Sequence, residues 1–372
     1  MIYVNDSNRV WHVAKSGNDG NSGHAGQYPV NLTSDAKLTI SAAVSAAADG
    51  DTIIIWPGDY AEAVNASSKA LRMIGMHRGQ TRIVPSSGTP LQIGNDSYVA
   101  NLSAVASSGT IGINIPNKTN ITIENCYGYG PTDGLYISAS TLNNYNIRLI
   151  NCTFESPWDG ANMNGATGVF LERCMFKCTG GSQVSHALQL PGSGVYHNCI
   201  FWTKSSTASS NPLGGIELGS AAEIRAIFES CYIYAEANAS RTGDVFGVKV
   251  NHSASAATLN NCNILTIGPG ASGGPKDLYQ TNGQIIVNGS RFLTQSGTII
   301  QDGCGWANAV RQEAAAVIDM DEALQKAIKM LVNKAVQDKL TGAIQYYDDD
   351  GQTVLLTHTP SENESSLTRA VS

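Results

Sequence analysis

The chain predicts an all-β solenoid, on three observations. A tetrapeptide of small, apolar, polar and apolar residues recurs as Pro90-Leu91-Gln92-Ile93, Gly112-Ile113-Asn114-Ile115, Gly134-Leu135-Tyr136-Ile137, Gly160-Ala161-Asn162-Met163, Ala187-Leu188-Gln189-Leu190, Gly215-Ile216-Glu217-Leu218 and Gly247-Val248-Lys249-Val250. Its starts are 22, 22, 26, 27, 28 and 32 residues apart. From the second repeat on, a further string follows and ends in cysteine, at Cys126, Cys152, Cys174, Cys199, Cys231 and Cys262. Gly, Ser, Asn and Pro clusters separate the strings and supply turns.

Alternation within each string has the two-residue period of a strand. Such a unit cannot bury its apolar face alone, so neighbours must complete each other's core. The slowly growing period places insertions in outward loops. A leucine-rich repeat needs a steadier period, and a propeller needs longer blades.

Composition narrows function. With 372 residues, 14% charged, 42% hydrophobic and 38 Gly, the chain is folded and Gly-rich. A formal charge of −7 argues against a non-specific nucleic-acid binder, which needs a basic face to release counterions from phosphate. Residues 1–7 lack the basic and apolar regions of an export signal, and no apolar run reaches about 18 residues. The expectation is a chain that neither inserts in a membrane nor is exported, with reduced cysteines.

Element by element, residues 1–36 form an N-terminal segment. A short capping helix follows, with Ile40, Ala43, Val44 and Ala47 on one face. It leads into Gly50-Asp51-Thr52-Ile53-Ile54-Ile55-Trp56-Pro57-Gly58-Asp59-Tyr60 and then Leu71-Arg72-Met73-Ile74-Gly75. This run, with Trp11-His12-Val13-Ala14 upstream, resembles the opening of right-handed parallel β-helix proteins of the pectate-lyase-like superfamily. The resemblance implies a single-stranded right-handed parallel β-helix over 37–302. It implies little about chemistry, because lyases, hydrolases, esterases and non-catalytic phage spikes share the scaffold.

Residues 303–372 change character. Val317, Leu324, Ile328, Leu331 and Ala335 predict one amphipathic helix, and 343–347 with 353–357 predict a hairpin around Asp350-Gly351. The final Ser361–Ser372 is polar. This module resembles the carboxy-terminal segment of virion proteins of tailed bacteriophages. The resemblance implies a tailspike, tail fibre or appendage, located in the virion after assembly in the host cytoplasm. Its partners would be copies of itself in a homotrimer, other phage tail or baseplate proteins, and a host surface polysaccharide. The alternatives are a polysaccharide lyase or glycoside hydrolase, and a purely architectural capsid or baseplate decoration.

Six cysteines share one rung position, so they predict an internal stack of free thiols rather than a zinc site, which needs pairs converging on a point. The asparagines before Cys126, Cys152, Cys199 and Cys262 predict a left-handed bend. Gln92, Asn114, Tyr136, Asn162, Gln189, Glu217 and Lys249 predict an outward polar column. Asp133, Asp159 and His186 precede the strand in consecutive rungs, with Trp158 beside Asp159. Carboxylates one or two rungs apart would lie about 5 to 10 Å from each other, the range of glycosidase acid and base pairs. Catalysis, if present, would fall to Asp133, Asp159, His186 and Glu217, and glycan contact to Tyr136, Trp158, Asn162, Gln189 and Lys249. The same residues equally suit a solvated sheet face and tight Asp-Gly turns. No metal or other cofactor is expected; Ca²⁺ in the loop Gly17–Gly23 is the alternative to a plain turn there. The strings of polygalacturonase-like sites are absent, and Lys249 is the one cation in the column, with Arg225 and Arg241 off it.

Overall fold

The computed structural model describes residues 9–292 apart from 26–29, 139–143, 165, 182, 220–222, 239 and 269–274, together with 300–301 and the strands 335–337, 344–347, 354–363 and 366–371. Two compact units result, Met1–Cys304 and Gly305–Ser372.

The first unit is a right-handed parallel β-helix of three sheets. One coil runs through Ile121–Glu124 in sheet I, Tyr127–Tyr129 in sheet II and Asp133–Ser138 in sheet III, then returns to sheet I at Asn144–Ile150. Sheet I has 11 strands, and sheets II and III have 10 each. Every strand pairs in parallel with its counterpart one coil away, for example Ile121↔Ile147, Tyr127↔Thr153 and Leu135↔Ala161.

The small residue of each tetrapeptide has a steric cause. A Cβ on Gly134 would lie 2.5 Å from the Glu155 nitrogen, and one on Gly112 would lie 2.6 Å from the Tyr129 nitrogen. Sheets II and III approach closely there. The corner between sheets I and II holds the predicted bends: Asn125, Asn151, Asn198 and Asn261 have φ of 49°, 53°, 52° and 52°, and Arg173 and Ser230 occupy the same place at 52° and 53°. Asn tolerates this region because its short side chain bonds locally. Here Asn125 Nδ2 donates to Asn101 Oδ1 at 2.8 Å, on the preceding coil.

The interior is a set of columns. Phe154, Phe176 and Phe201 stack with ring centroids 5.6 and 5.3 Å apart, and Phe228 meets Phe201 edge-on at 5.6 Å. Such rings contribute about 1.5–3 kcal/mol each by burial. Cys126, Cys152, Cys174, Cys199, Cys231 and Cys262 are buried and free. The thiols of Cys126, Cys152, Cys231 and Cys262 donate to carbonyls of the preceding coil, as Cys231 does to Tyr196 at 3.1 Å and Cys262 to Phe228 at 3.3 Å. Burial pushes the Cys126 and Cys152 thiols well above their ordinary pKa. Alkylation without reductant is therefore expected to label none of the six in the folded protein and all six after unfolding, by mass spectrometry of the peptides that carry them; a pair lost to a disulfide would contradict the column.

The capping helix spans Ile40–Ala46 and buries Ile40, Ala43 and Val44. Thr39 Oγ1 accepts from the Ala42 amide, and the Glu62 carboxylate accepts from the Ile40 and Ser41 amides at 2.7 and 2.8 Å. The helix is held by side chains rather than length. Asp19 bonds the Leu38 and Thr39 amides at 2.9 and 2.8 Å, so this carboxylate fixes the approach to the helix.

In the second unit the hairpin is present as Ile344–Tyr347 against Val354–Asn363, paired Ile344↔His358 and Tyr346↔Leu356. Two further antiparallel strands flank it, Ala335–Gln337 and Ser366–Val371, so the sheet has four strands. The polar stretch after Ser361 is thus partly strand. Ala335, expected at the end of the amphipathic helix, opens a strand instead; the rest of that helix lies outside the described residues.

Candidate functional site

Sheet III carries two adjacent columns along its coils. The strand register places Gln92, Asn114, Tyr136, Asn162, Gln189, Glu217, Lys249 and Tyr279 in one, as the tetrapeptides require. The other holds Ile111, Asp133, Asp159, His186, Gly214, Phe246 and Lys276. Each of these residues immediately precedes the small position of its repeat, apart from Lys276, which precedes Asp277.

The charged members are linked in a chain. His186 Nδ1 lies 3.0 Å from Asp159 Oδ1, and the His186 amide donates to that same oxygen at 3.1 Å. His186 Nε2 lies 2.8 Å from Glu217 Oε2, a close ion contact rather than an aligned hydrogen bond. Lys249 Nζ sits 2.8 Å from Glu217 Oε1, over the Phe246 and Tyr279 rings at 5.3 and 5.7 Å. Beyond it Lys276 pairs with Asp244 at 2.7 Å and lies 4.1 Å from the Tyr279 ring centroid.

Burial corrects the sequence reading. The pattern leaves these side chains on a solvated face, whereas His186 is 0% exposed and Asp159 8%. Gly214 is the reason. A Cβ there would sit 2.1 Å from the Phe246 ring, so its absence lets Phe246 lie against His186 with centroids 5.8 Å apart. Asp159 is therefore a buried ion partner, not an exposed turn residue.

Burial by itself would lower the His186 pKa, but the hydrogen bond with Asp159 and the charges of Asp159 and Glu217 outweigh it and raise it to about 9. Burial would raise Glu217, yet His186 and Lys249 bring it to about 2. Asp133, at the open end, is pushed up to about 7 by burial and by the Asp159 charge. The result is one carboxyl, Asp133, that exchanges its proton near neutrality, the property a general acid needs.

The signs fix a pH profile. The Asp133 carboxyl holds its proton longer folded than unfolded, so stability falls as pH rises from about 4 towards 7. The His186 contribution is complete below about 6.5 and is lost as pH climbs through 9; that of Glu217 is complete above about 4.5 and is lost as pH falls through 2. Maximal Tm is expected near pH 5, declining to pH 9. Asp133→Asn should flatten the lower part of that decline, gaining about 2 kcal/mol at pH 8 after allowance for partial solvent exposure. An unchanged slope would mean that Asp133 titrates normally.

Of the residues proposed for glycan contact, Trp158 is 41% exposed, while its carbonyl accepts from the His186 amide at 3.0 Å and the Cys178 thiol at 2.8 Å. Asn162 Nδ2 donates to Gln189 Oε1 at 2.8 Å. Tyr136 is half-buried beside Asn162. Lys249 belongs to the ion chain instead. Sequence reasoning missed Phe246, Lys276 and Arg241. Phe246 precedes the small Gly247 as Asp159 and His186 precede theirs and was readable from that offset, whereas Lys276 precedes Asp277 and joins the column only through the register. Arg241 is 1% exposed and is given away by no spacing.

Among the described residues, no group of three or more His, Cys, Asp and Glu is arranged to hold a metal, and no helix is long and apolar enough to cross a membrane.

No family model and no curated protein sequence matches the chain. Similar solved structures include a pectin methylesterase from carrot, 16% identical over 78% of this chain and 88% of the other with a TM-score of 0.42. The pectate lyase Pel9A is 16% identical over 79% of each chain, with a TM-score of 0.46. The tailspike protein gp49 of Acinetobacter baumannii bacteriophage Fri1, a capsular polysaccharide depolymerase, is 11% identical over 87% of this chain and 73% of the other, at 0.41. Such values assign no residue a role; the fold here rests on the strand register.

Proposed function

We propose that the sheet III flank recognises polysaccharide and that the chain is a virion component of a tailed bacteriophage, a tailspike, fibre or appendage presenting this flank to host-surface glycans. The observation that carries the recognition is exposed Trp158 directly before Asp159, one coil from the Asp133 carboxyl, on the sheet whose other column carries Tyr136 and the Asn162 and Gln189 amides. Sugars are bound by such sets: an aromatic face for the C–H side and amides or carboxyls for hydroxyl pairs. The virion role, the homotrimer and association with tail or baseplate proteins rest on the resemblance of residues 303–372. Light scattering tests the trimer, for which the expected mass is three times 39.2 kDa.

Trp158→Ala is expected to weaken binding to a cognate capsular polysaccharide by about tenfold, equivalent to about 1.4 kcal/mol, with little change in Tm because the ring is well exposed. Unchanged binding would remove this surface from consideration. A second reading, glycoside hydrolysis, is favoured by Asp133, whose carboxyl is pushed up to about 7, standing one coil from the Asp159 carboxyl that contacts His186. New reducing ends that vanish in Asp133→Asn would establish it.

A further inference from the structure

We infer that the glycan taken by this flank is uncharged, a polymer of hexoses or N-acetylhexosamines rather than a polyuronate; this rests on the recognition reading above. A polyuronate brings one carboxylate per acidic sugar and needs cations that are free to meet them. Among the described residues of the sheet III strands the cations are His186, Lys249 and Lys276, and each is already held by a carboxylate of this chain. His186 lies between Asp159 and Glu217, Lys249 stands 2.8 Å from Glu217, and Lys276 stands 2.7 Å from Asp244. Two of the three are enclosed as well, with His186 0% and the Lys276 side chain 5% exposed.

The carboxylates on the same ribbon outnumber the cations. Asp133, Asp159, Glu217 and the buried Asp277 lie in the strands and Asp244 directly precedes one, against those three. A uronate docked here would meet net negative charge, and the chain's formal −7 adds long-range repulsion of any polyanion.

What the ribbon offers instead is neutral. Gln92, Asn114, Tyr136, Asn162 and Gln189 follow one another over five coils without a charge. Four intervals of about 4.8 Å make a track of roughly 19 Å, long enough for an oligosaccharide. Amide and phenol groups exchange hydrogen bonds with hydroxyls and acetamides in both directions, which a carboxylate, as acceptor only, cannot do. The same pairing bears on chemistry. Eliminative cleavage requires a cation to neutralise the uronate carboxylate and a base to take the adjacent proton. With Lys249 tied to Glu217, cleavage at this flank would be hydrolytic.

The test measures binding of the full-length protein to immobilised neutral polymers (galactans, glucans and N-acetylhexosamine polymers) and to polygalacturonate, alginate and hyaluronate, at low and high salt. Binding to neutral polymers that changes by no more than about twofold with salt and is lost in Trp158→Ala is the expected result. Polyuronate binding that collapses with salt and weakens in Lys249→Met would overturn the uncharged class while leaving the flank as the site. Neutral-polymer binding indifferent to Trp158→Ala would overturn the site. Binding to neither class would overturn both. Where a polymer is cleaved, new reducing ends without absorbance from unsaturated uronates are expected; that absorbance would refute the hydrolytic assignment.

Discussion

Glu217→Ala is expected to cost about 3–5 kcal/mol at pH 6, the usual range for removing one member of a buried ion pair. The loss has two sources. His186, fully enclosed and charged at that pH, keeps only Asp159, and Lys249 keeps only the faces of Phe246 and Tyr279. The imidazole can give up its proton, so part of the cost becomes a fall in the His186 pKa from about 9. The penalty should accordingly shrink above pH 9, where His186 is neutral in the parent as well. Denaturant titration of both proteins at pH 6 and pH 9.5, with the His186 ring followed by NMR, measures both quantities. A cost below about 1 kcal/mol at pH 6 would mean that the ion chain is solvated and that its contacts are surface contacts.

Arg241→Ala should be comparably damaging, by about 3 kcal/mol or more, for a different reason. The guanidinium is 1% exposed and meets no carboxylate among its partners. It donates to the carbonyls of Gly181, Gln183, Asn211 and Pro212 and to Ser205 Oγ at 2.9–3.3 Å, gathering three successive loops that lead from sheet II into sheet III. Removing it orphans buried acceptors at about 1–3 kcal/mol apiece, softened where water can enter. Arg241→Lys should rescue little, because an ammonium cannot span the same fork of acceptors. Hydrogen exchange should accelerate first at the Ser185 and His186 amides, which the loops abut. If lysine restored stability, charge rather than reach would be what holds the loops.

The strands, the thiol column and the register of sheet III were legible because all three depend on periodicity, and a parallel coil repeats the same residue environment every turn. Gln92 through Lys249 fall in one column for that reason. Coverage was not legible. Alternation says which side of a strand a residue leaves by, but whether the outside is wet depends on Gly214 making room for Phe246 and on loops drawn together by Arg241 from 30 residues beyond Asn211. So Asp159, His186 and Glu217 read as surface residues and are largely enclosed. The part of Val354–Asn363 beyond Thr357 and the strand Ser366–Val371 escaped in the opposite way: rich in Thr, Ser, Glu and Asn, they carry no strong apolar alternation to mark them.

The ion chain on sheet III bears on how the coils keep count. Inside the β-helix each coil presents much the same aliphatic, aromatic and thiol groups, so a chain that skipped one coil while folding would lose little in its interior. The order Asp159, His186, Glu217, Lys249 admits no such skip. Omitting the His186 coil leaves Asp159 without a cation, omitting the Glu217 coil leaves His186 with one carboxylate, and omitting the Lys249 coil leaves Glu217 without its ammonium. Each misthreaded form carries an under-compensated enclosed charge, a penalty of the size expected for Glu217→Ala. The same four residues thus act as a numbered key that admits one order of assembly, widening the energy gap between the native winding and its shortened competitors.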